Sequence, residues 1–229
     1  MKGEKGFSSV HFVKGNKADF YKVLRQRVNE YFKKEKISRH ANGNMIFKTI
    51  CMLSLYLAPF ILMLTLDLNA WWYILLWAVT GVGMAGVGLS VMHDANHGAY
   101  SKSPLVNNII GKVLVLLGGN DANWRIQHNV LHHTYTNVNN MDEDIAPPPF
   151  ILRFSPHTKR LKIHRFQHVY AYFFYGLMTM MWFVSKDYQQ AKRYHEMDLV
   201  KTQGLTIQKH VINIIFNKLL YAFIFLALP

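Results

Sequence analysis

The chain of 229 residues is 51% hydrophobic and only 17% charged, a balance skewed for a water-soluble fold, and its apolar residues are strongly clumped. A formal net charge of +13 would suit a nucleic-acid partner, but Lys and Arg flank long apolar runs, where they read as anchors facing anionic lipid; nucleic acid is excluded as a partner. The single cysteine, Cys51, sits inside an apolar run and rules out a disulfide framework.

Residues 1–44 carry eleven Lys and Arg without an apolar core, so a cytoplasmic basic segment is expected there rather than a cleavable signal peptide. From Ile50 to Leu66 the chain reads ICMLSLYLAPFILMLTL, and after a DLN turn it reads AWWYILLWAVTGVGMAGVGLSVM from Ala70 to Met92. Each run approaches the roughly 20 residues that cross a bilayer, and the short turn predicts an antiparallel transmembrane hairpin with Trp71, Trp72 and Tyr73 as an aromatic belt. Gly81, Ala85 and Gly88 form a predicted small-residue packing stripe on the second helix.

The run from Leu105 to Leu117 is short, is interrupted by Asn107, Asn108 and Lys112, and is expected in or near the interface. After MDEDIAPPPF, whose prolines should end any helix, the segment Phe166–Val184 is expected to lie in the interface, because a crossing would strand Lys186, Lys192 and Arg193 outside. The last apolar stretch, LLYAFIFLALP after Lys218, is about half a span unless Val211 to Lys218 joins it. The expected fold is therefore an all-α integral membrane protein, a transmembrane hairpin plus further membrane and interfacial helices, with a histidine-rich cytoplasmic cap.

That cap rests on HDANHGAY and QHNVLHHTYTN. Residues four apart share a helix face, so His93 points with His97 and His128 with His132, while His133 lies about 100 degrees round from His132. Gly98 offers a stop for the first helix, and Asn120 or Asp121 a cap for the second. Converging imidazoles repel one another once protonated but are good ligands for Fe, Zn, Cu and Ni, and five exceed the four ligands of a structural zinc site. A centre with more than one metal is expected, with Asp94, Asn129 and Asp144 orienting ring N–H groups. No HExxH, ExxH, GxGxxG or P-loop motif is present. His164 and His168 repeat the HxxxH spacing but suit an interface anchor; His11, His40, His157, His195 and His210 read as isolated surface or interface residues.

HDANHGAYSKSPLVNNIIG followed by NWRIQHNVLHHTYTN resembles the first and second histidine boxes of membrane fatty acid desaturases, most closely the front-end and acyl-lipid or acyl-CoA branch. The resemblance covers roughly residues 45–229 and implies oxygen-dependent desaturation of an acyl-CoA or acyl lipid at a centre of two non-haem irons. His93 and His97 would be first-box ligands, and His128, His132 and His133 second-box ligands, all cytoplasmic. The family's third box, HxxHH or QxxHH, has no counterpart, so 45–229 reads as a partial desaturase domain that lacks part of the site. The absence of HPGG implies a separate electron donor of ferredoxin or cytochrome b5 type, which leans towards a bacterial inner membrane. Alternatives are a histidine-box hydroxylase or ketolase, an inactive truncated fragment, or a metal-transport fragment; the last is disfavoured because the histidines sit at or beyond the ends of the spans.

Overall fold

The computed structural model describes Val10, residues 18–146 and residues 150–229. The three prolines at 147–149, and His11, lie outside the described residues. Among the described residues the chain is helical without a strand: α1 (Ala18–Lys34), α2 (Gly43–Thr65), α3 (Ala70–Asn96), α4 (Pro104–Leu117), α5 (residues 121–135), α6 (Gln167–Gly176), α7 (residues 178–196) and α8 (Ile207–Ala227). Three of them, α2, α3 and α8, are long and apolar enough to cross a membrane, and the protein is an all-α membrane protein.

The hairpin forms as its pattern predicts. Asn42 caps α2 by accepting from the Met45 N–H, and Asn69 caps α3 by accepting from the N–H groups of Trp71 and Trp72 at 3.1 and 3.3 Å. Close contact between α2 and α3 runs through Gly83 and Gly86 rather than the expected Gly81 and Gly88. A Cβ at Gly83 would lie 2.3 Å from the Tyr56 backbone nitrogen, and one at Gly86 would lie 2.2 Å from Met52 Sδ, whereas Gly81 faces open space. The face chosen is the one opposite Tyr56, whose hydroxyl reaches across to the Leu116 carbonyl of α4. Without a hydrophobic gradient between lipid and helix, backbone approach of this kind is what packs membrane helices.

Two buried clusters organise the rest. Tyr56, Val87, Val91, Met92, Leu114 and Leu117 join α2, α3 and α4. Ile126, Leu131, Tyr135, Tyr194, Leu199 and Val200 join α5 to α7 and the turn after it; each of its fully buried aliphatic side chains contributes about 1.5–3 kcal/mol of transfer free energy. α4 stays short, as its Asn and Lys content predicts. The 166–184 segment breaks at Leu177 and is not among the helices long enough to cross. The stretch from Val211 to Lys218 does join the last apolar run, giving α8 21 residues.

α8 also corrects the reading of His210 as a surface or interface residue. It is 0% exposed, with Nε2 2.8 Å from Asn123 Oδ1. Lys218, on the same helix, donates to the Gly118 carbonyl at 2.6 Å and pairs with the buried Asp187 of α7. Asp187 in turn accepts from Asn123 Nδ2 through its backbone and side-chain oxygens at 2.9 and 3.2 Å. These polar groups tie α8 and α7 to the first turn of α5, the helix that carries the second histidine group.

Candidate metal centre

Both histidine groups stand where α-helix and π-helix meet. α3 is π-wound from Val87 to Met92 immediately before His93, and α5 is π-wound from Arg125 to His132. The wider π turn, with i→i+5 hydrogen bonds, is rare and concentrates at functional sites. At α5 its effect is direct: the His133 N–H donates to the His128 carbonyl. His133, displaced from its neighbours on an ideal α-helix, is thereby drawn towards His128.

α3 ends at the first pair. His97 is the last residue in helical geometry, and Gly98 at φ +70° turns the chain away, the left-handed stop that glycine supplies. Asn120 caps α5 by accepting from the Asn123 N–H at 3.0 Å. The two helices are locked together through Asn96. Its side chain donates to the Gly111 carbonyl at 3.1 Å and accepts from Arg125, also at 3.1 Å, while its backbone carbonyl accepts from Asn129 at 2.9 Å. Arg125 is itself fixed by Asp121 at 2.8 Å and Gln203 at 2.8 Å.

The five imidazoles come together. His128 Nε2 is 3.2 Å from His93 Nε2 and 3.2 Å from His133 Nε2. The rings of His97 lie 4.6 Å from His93, 5.1 Å from His128 and 4.8 Å from His133, centroid to centroid. One ligand atom each from His93, His97 and His128 fits within 4.8 Å, as does one each from His128, His132 and Asp144. His132 stacks on His128 at 5.2 Å, and Trp124 walls the group with its ring 4.5 Å from His128.

Carboxylates sit on the far nitrogens. Asp94 is 3.1 Å from His93 Nδ1, Asp144 is 3.2 Å from His128 Nδ1, and Asp142 is 2.9 Å from His132 Nδ1. Such a contact fixes ring orientation and tautomer, leaving the other nitrogen free as a donor to a metal. Asn129, by contrast, reaches the Asn96 carbonyl rather than an imidazole, so it holds the two helices and not a ring. Asp142 was not singled out in the sequence, yet it is 1% exposed and accepts from the Asn137 and Asp144 N–H groups besides meeting the His132 ring. Burial pushes its carboxyl up, but the N–H groups of Asn137 and Asp144 and the His132 ring outweigh this and hold it below the usual carboxylate range. The MDEDI segment that carries these acids is fastened to α7 as well. Gln190 bridges Gln127 at 2.6 Å and Glu143 at 3.1 Å, and the Tyr194 hydroxyl donates to Glu143.

Electrostatics favour the neutral ring at His97 and His128. Burial, reinforced by the neighbouring His93, His128 and His133, pushes His97 down to about 4. Burial also lowers His128, against the opposing pull of Asp144. Unprotonated imidazole is the ligand form, so the donor set, its oriented rings and the lowered protonation of His97 and His128 fit a bound transition metal. The lookalike pair does not join: His164 is buried with Nδ1 accepting from the Leu161 N–H at 3.1 Å, and His168 is exposed.

Comparison with known proteins places this geometry in context. The model of the family described as fatty acid desaturase matches residues 69–228. The chain is 34% identical over 226 residues to an acyl-lipid (8-3)-desaturase of Physcomitrium patens, covering 97% of this chain and 46% of the relative. It is 33% identical to an sn-1 linoleoyl-lipid 6-desaturase of Arthrospira platensis, covering 81% and 50%, and 31% identical to the protein of the same name in Synechocystis sp., covering 83% and 54%. The chain thus spans about half the length of these curated relatives. No solved structure matches it. With the family model covering most of the sequence and both histidine groups, the chain belongs to the fatty acid desaturase family.

Proposed function

We propose that this protein introduces a double bond into the acyl chain of a membrane lipid, with dioxygen as co-substrate, at a di-iron centre to which His93, His97, His128, His132 and His133 contribute ligands. The observation that carries the proposal is the meeting of those five rings, three of them backed by carboxylates. Bound there, iron would supply the oxygen-dependent hydrogen-abstracting chemistry that no side chain provides.

The remaining work falls to the chain. Asp94, Asp142 and Asp144 hold the rings of His93, His132 and His128 at their Nδ1 atoms, so that each ligand geometry is set before metal arrives. Trp124 and the buried cluster of α2, α3 and α4 form an apolar wall on the membrane side of the rings, suited to an acyl chain and to excluding water. Relatives named for acyl lipids favour an acyl lipid over an acyl-CoA, and desaturation over hydroxylation or ketolation. The basic flanks favour the cytoplasmic face for the histidines, and a separate ferredoxin-like or cytochrome b5-like carrier for the electrons completes the reading.

The test is product analysis. The protein is expressed in a host supplied with linoleoyl lipids, and lipid-derived methyl esters are separated by mass. Acyl chains lighter by two hydrogens, absent with His128→Ala, are expected. Acyl chains heavier by one oxygen would contradict the proposal, and a profile identical to that of His128→Ala would favour the inactive partial domain instead.

A further inference from the structure

α1 (Ala18–Lys34) lies open: every residue from Asp19 to Lys34 is exposed except Phe32, which is half-buried. Its exposed residues include large apolar ones, with Phe20 at 61%, Tyr21 at 74%, Leu24 at 46% and Tyr31 at 56%. On a 3.6-residue turn Phe20, Leu24 and Tyr31 share one line, with Tyr21 and Val28 beside it, while Lys22, Asn29 and Lys33 occupy the opposite side and Arg25 lies between Tyr21 and Asn29. Arg27 and Lys34 edge the apolar face, where long basic side chains can bury their stems and keep their charges in water. A helix so divided would be poorly placed in bulk solvent.

Its attachment fixes where it must be. The eight residues that follow, 35–42, reach at most about 28 Å when extended, and their end is pinned: the Ala41 N–H donates to the Tyr100 carbonyl at 3.0 Å, and His40 Nδ1 lies 3.3 Å from the Ala99 carbonyl. Tyr100 stands three residues beyond His97. α1 therefore leaves the bundle at the end where the histidines gather, within reach of the leaflet that α2 enters at Gly43.

We propose that α1 lies in the plane of the membrane at the histidine end of the bundle, with Phe20, Leu24 and Tyr31 among the acyl chains and its basic residues against anionic lipid headgroups. Three features favour lipid over a protein partner. The chain's own spans tether the helix to a bilayer, its apolar side is aromatic as interfacial anchors are, and its five basic residues outnumber Asp19 and Glu30. The inference goes beyond the desaturase reading and needs no metal.

The test uses the whole chain with Cys51→Ala and one nitroxide-labelled cysteine, Leu24→Cys or Asn29→Cys, with Val28→Cys as a second apolar-face site. Each is reconstituted in phosphatidylcholine vesicles with and without phosphatidylglycerol. With phosphatidylglycerol, labels at 24 and 28 should be several-fold more accessible to oxygen than to a water-soluble nickel chelate, and the label at 29 should show the reverse. Omitting phosphatidylglycerol should weaken the contrast. Equal nickel access at all three positions would overturn the proposal, as would a contrast indifferent to phosphatidylglycerol. Spin–spin broadening at 24 that persists in dilute detergent would assign the face to a second copy instead.

Discussion

His128 and His133 stand five residues apart, and their Nε2 atoms meet at 3.2 Å. An α-helix brings residues three and four apart onto one face; a five-residue pairing needs the wider π turn that runs from Arg125 to His132. The second histidine group is therefore a property of the backbone winding as much as of the residues it carries, and what holds that winding in place becomes part of the site.

Asp142 is the first of those supports. It accepts from the Asn137 and Asp144 N–H groups at 2.8 and 3.0 Å and meets the His132 ring at 2.9 Å. Asp142→Asn keeps the shape but weakens the acceptor, and a loss of about 10–100-fold in metal affinity is expected, as for other partners of ligating histidines. Competition against a chromogenic chelator measures it; unchanged affinity would show that the His132 ring is held by something else.

Gly83 and Gly81 make a matched pair on α3. Gly83→Ala drives a methyl group into the Tyr56 backbone and should cost about 1–3 kcal/mol or more, as overpacking does. Gly81→Ala meets open space and should be neutral or stabilising by up to about 1 kcal/mol, the helix preference of Ala over Gly. Thermal unfolding in one detergent compares the two, and equal effects would refute the assigned packing face.

Lys218 and Asp187 form a buried pair between α8 and α7, with side-chain exposures of 7% and 1%. Lys218→Met leaves a buried carboxylate unpaired and should destabilise by about 3–5 kcal/mol, whereas the double change Lys218→Met with Asp187→Asn should recover much of that loss. A double-mutant cycle read by denaturation detects the coupling; additive losses would deny it.

Tyr194 is 0% exposed, and burial together with Glu143 raises its hydroxyl well above the ordinary phenol value of 10.0. The folded chain keeps this proton where the unfolded chain releases it. The associated stability is therefore complete below pH 10.0 and declines as pH rises beyond it. Tyr194→Phe should cost about 1.5–3 kcal/mol at neutral pH, from the lost bond to a carboxylate. The gap to the parent protein should narrow above pH 10.0. A gap that widens there would reverse the sign and exclude a protonated buried phenol.

Much of this was legible in the chain itself. The hairpin followed from two apolar runs and a three-residue turn, Asn120 and Gly98 acted as the helix cap and stop their chemistry suggests, and the two histidine groups met as their HxxxH and HxxxHH spacings imply. Three things were hidden, each for a physical reason. The π winding leaves no mark in the residue spacing, and an ideal α-helix puts His133 about 100 degrees from His132, which hides its meeting with His128. Asp142 looked like one acid in a polar turn, because the positive φ at Asn137 and Asn140 that folds the turn back on His132 leaves little local mark. Lys218, Asp187, Asn123 and His210 lie up to about a hundred residues apart and become neighbours only when α8 packs on α7 and α5.

The central claim, that the gathered histidines hold iron, is tested most directly by loading the purified chain anaerobically with ferrous iron, removing excess metal, and measuring bound iron together with its X-ray absorption. Retained iron with an imidazole scattering signature, lost in His93→Ala and in His128→Ala while the fold persists by circular dichroism, is the predicted result. Iron no higher in the parent chain than in either variant, or iron bound without imidazole scattering, would contradict it.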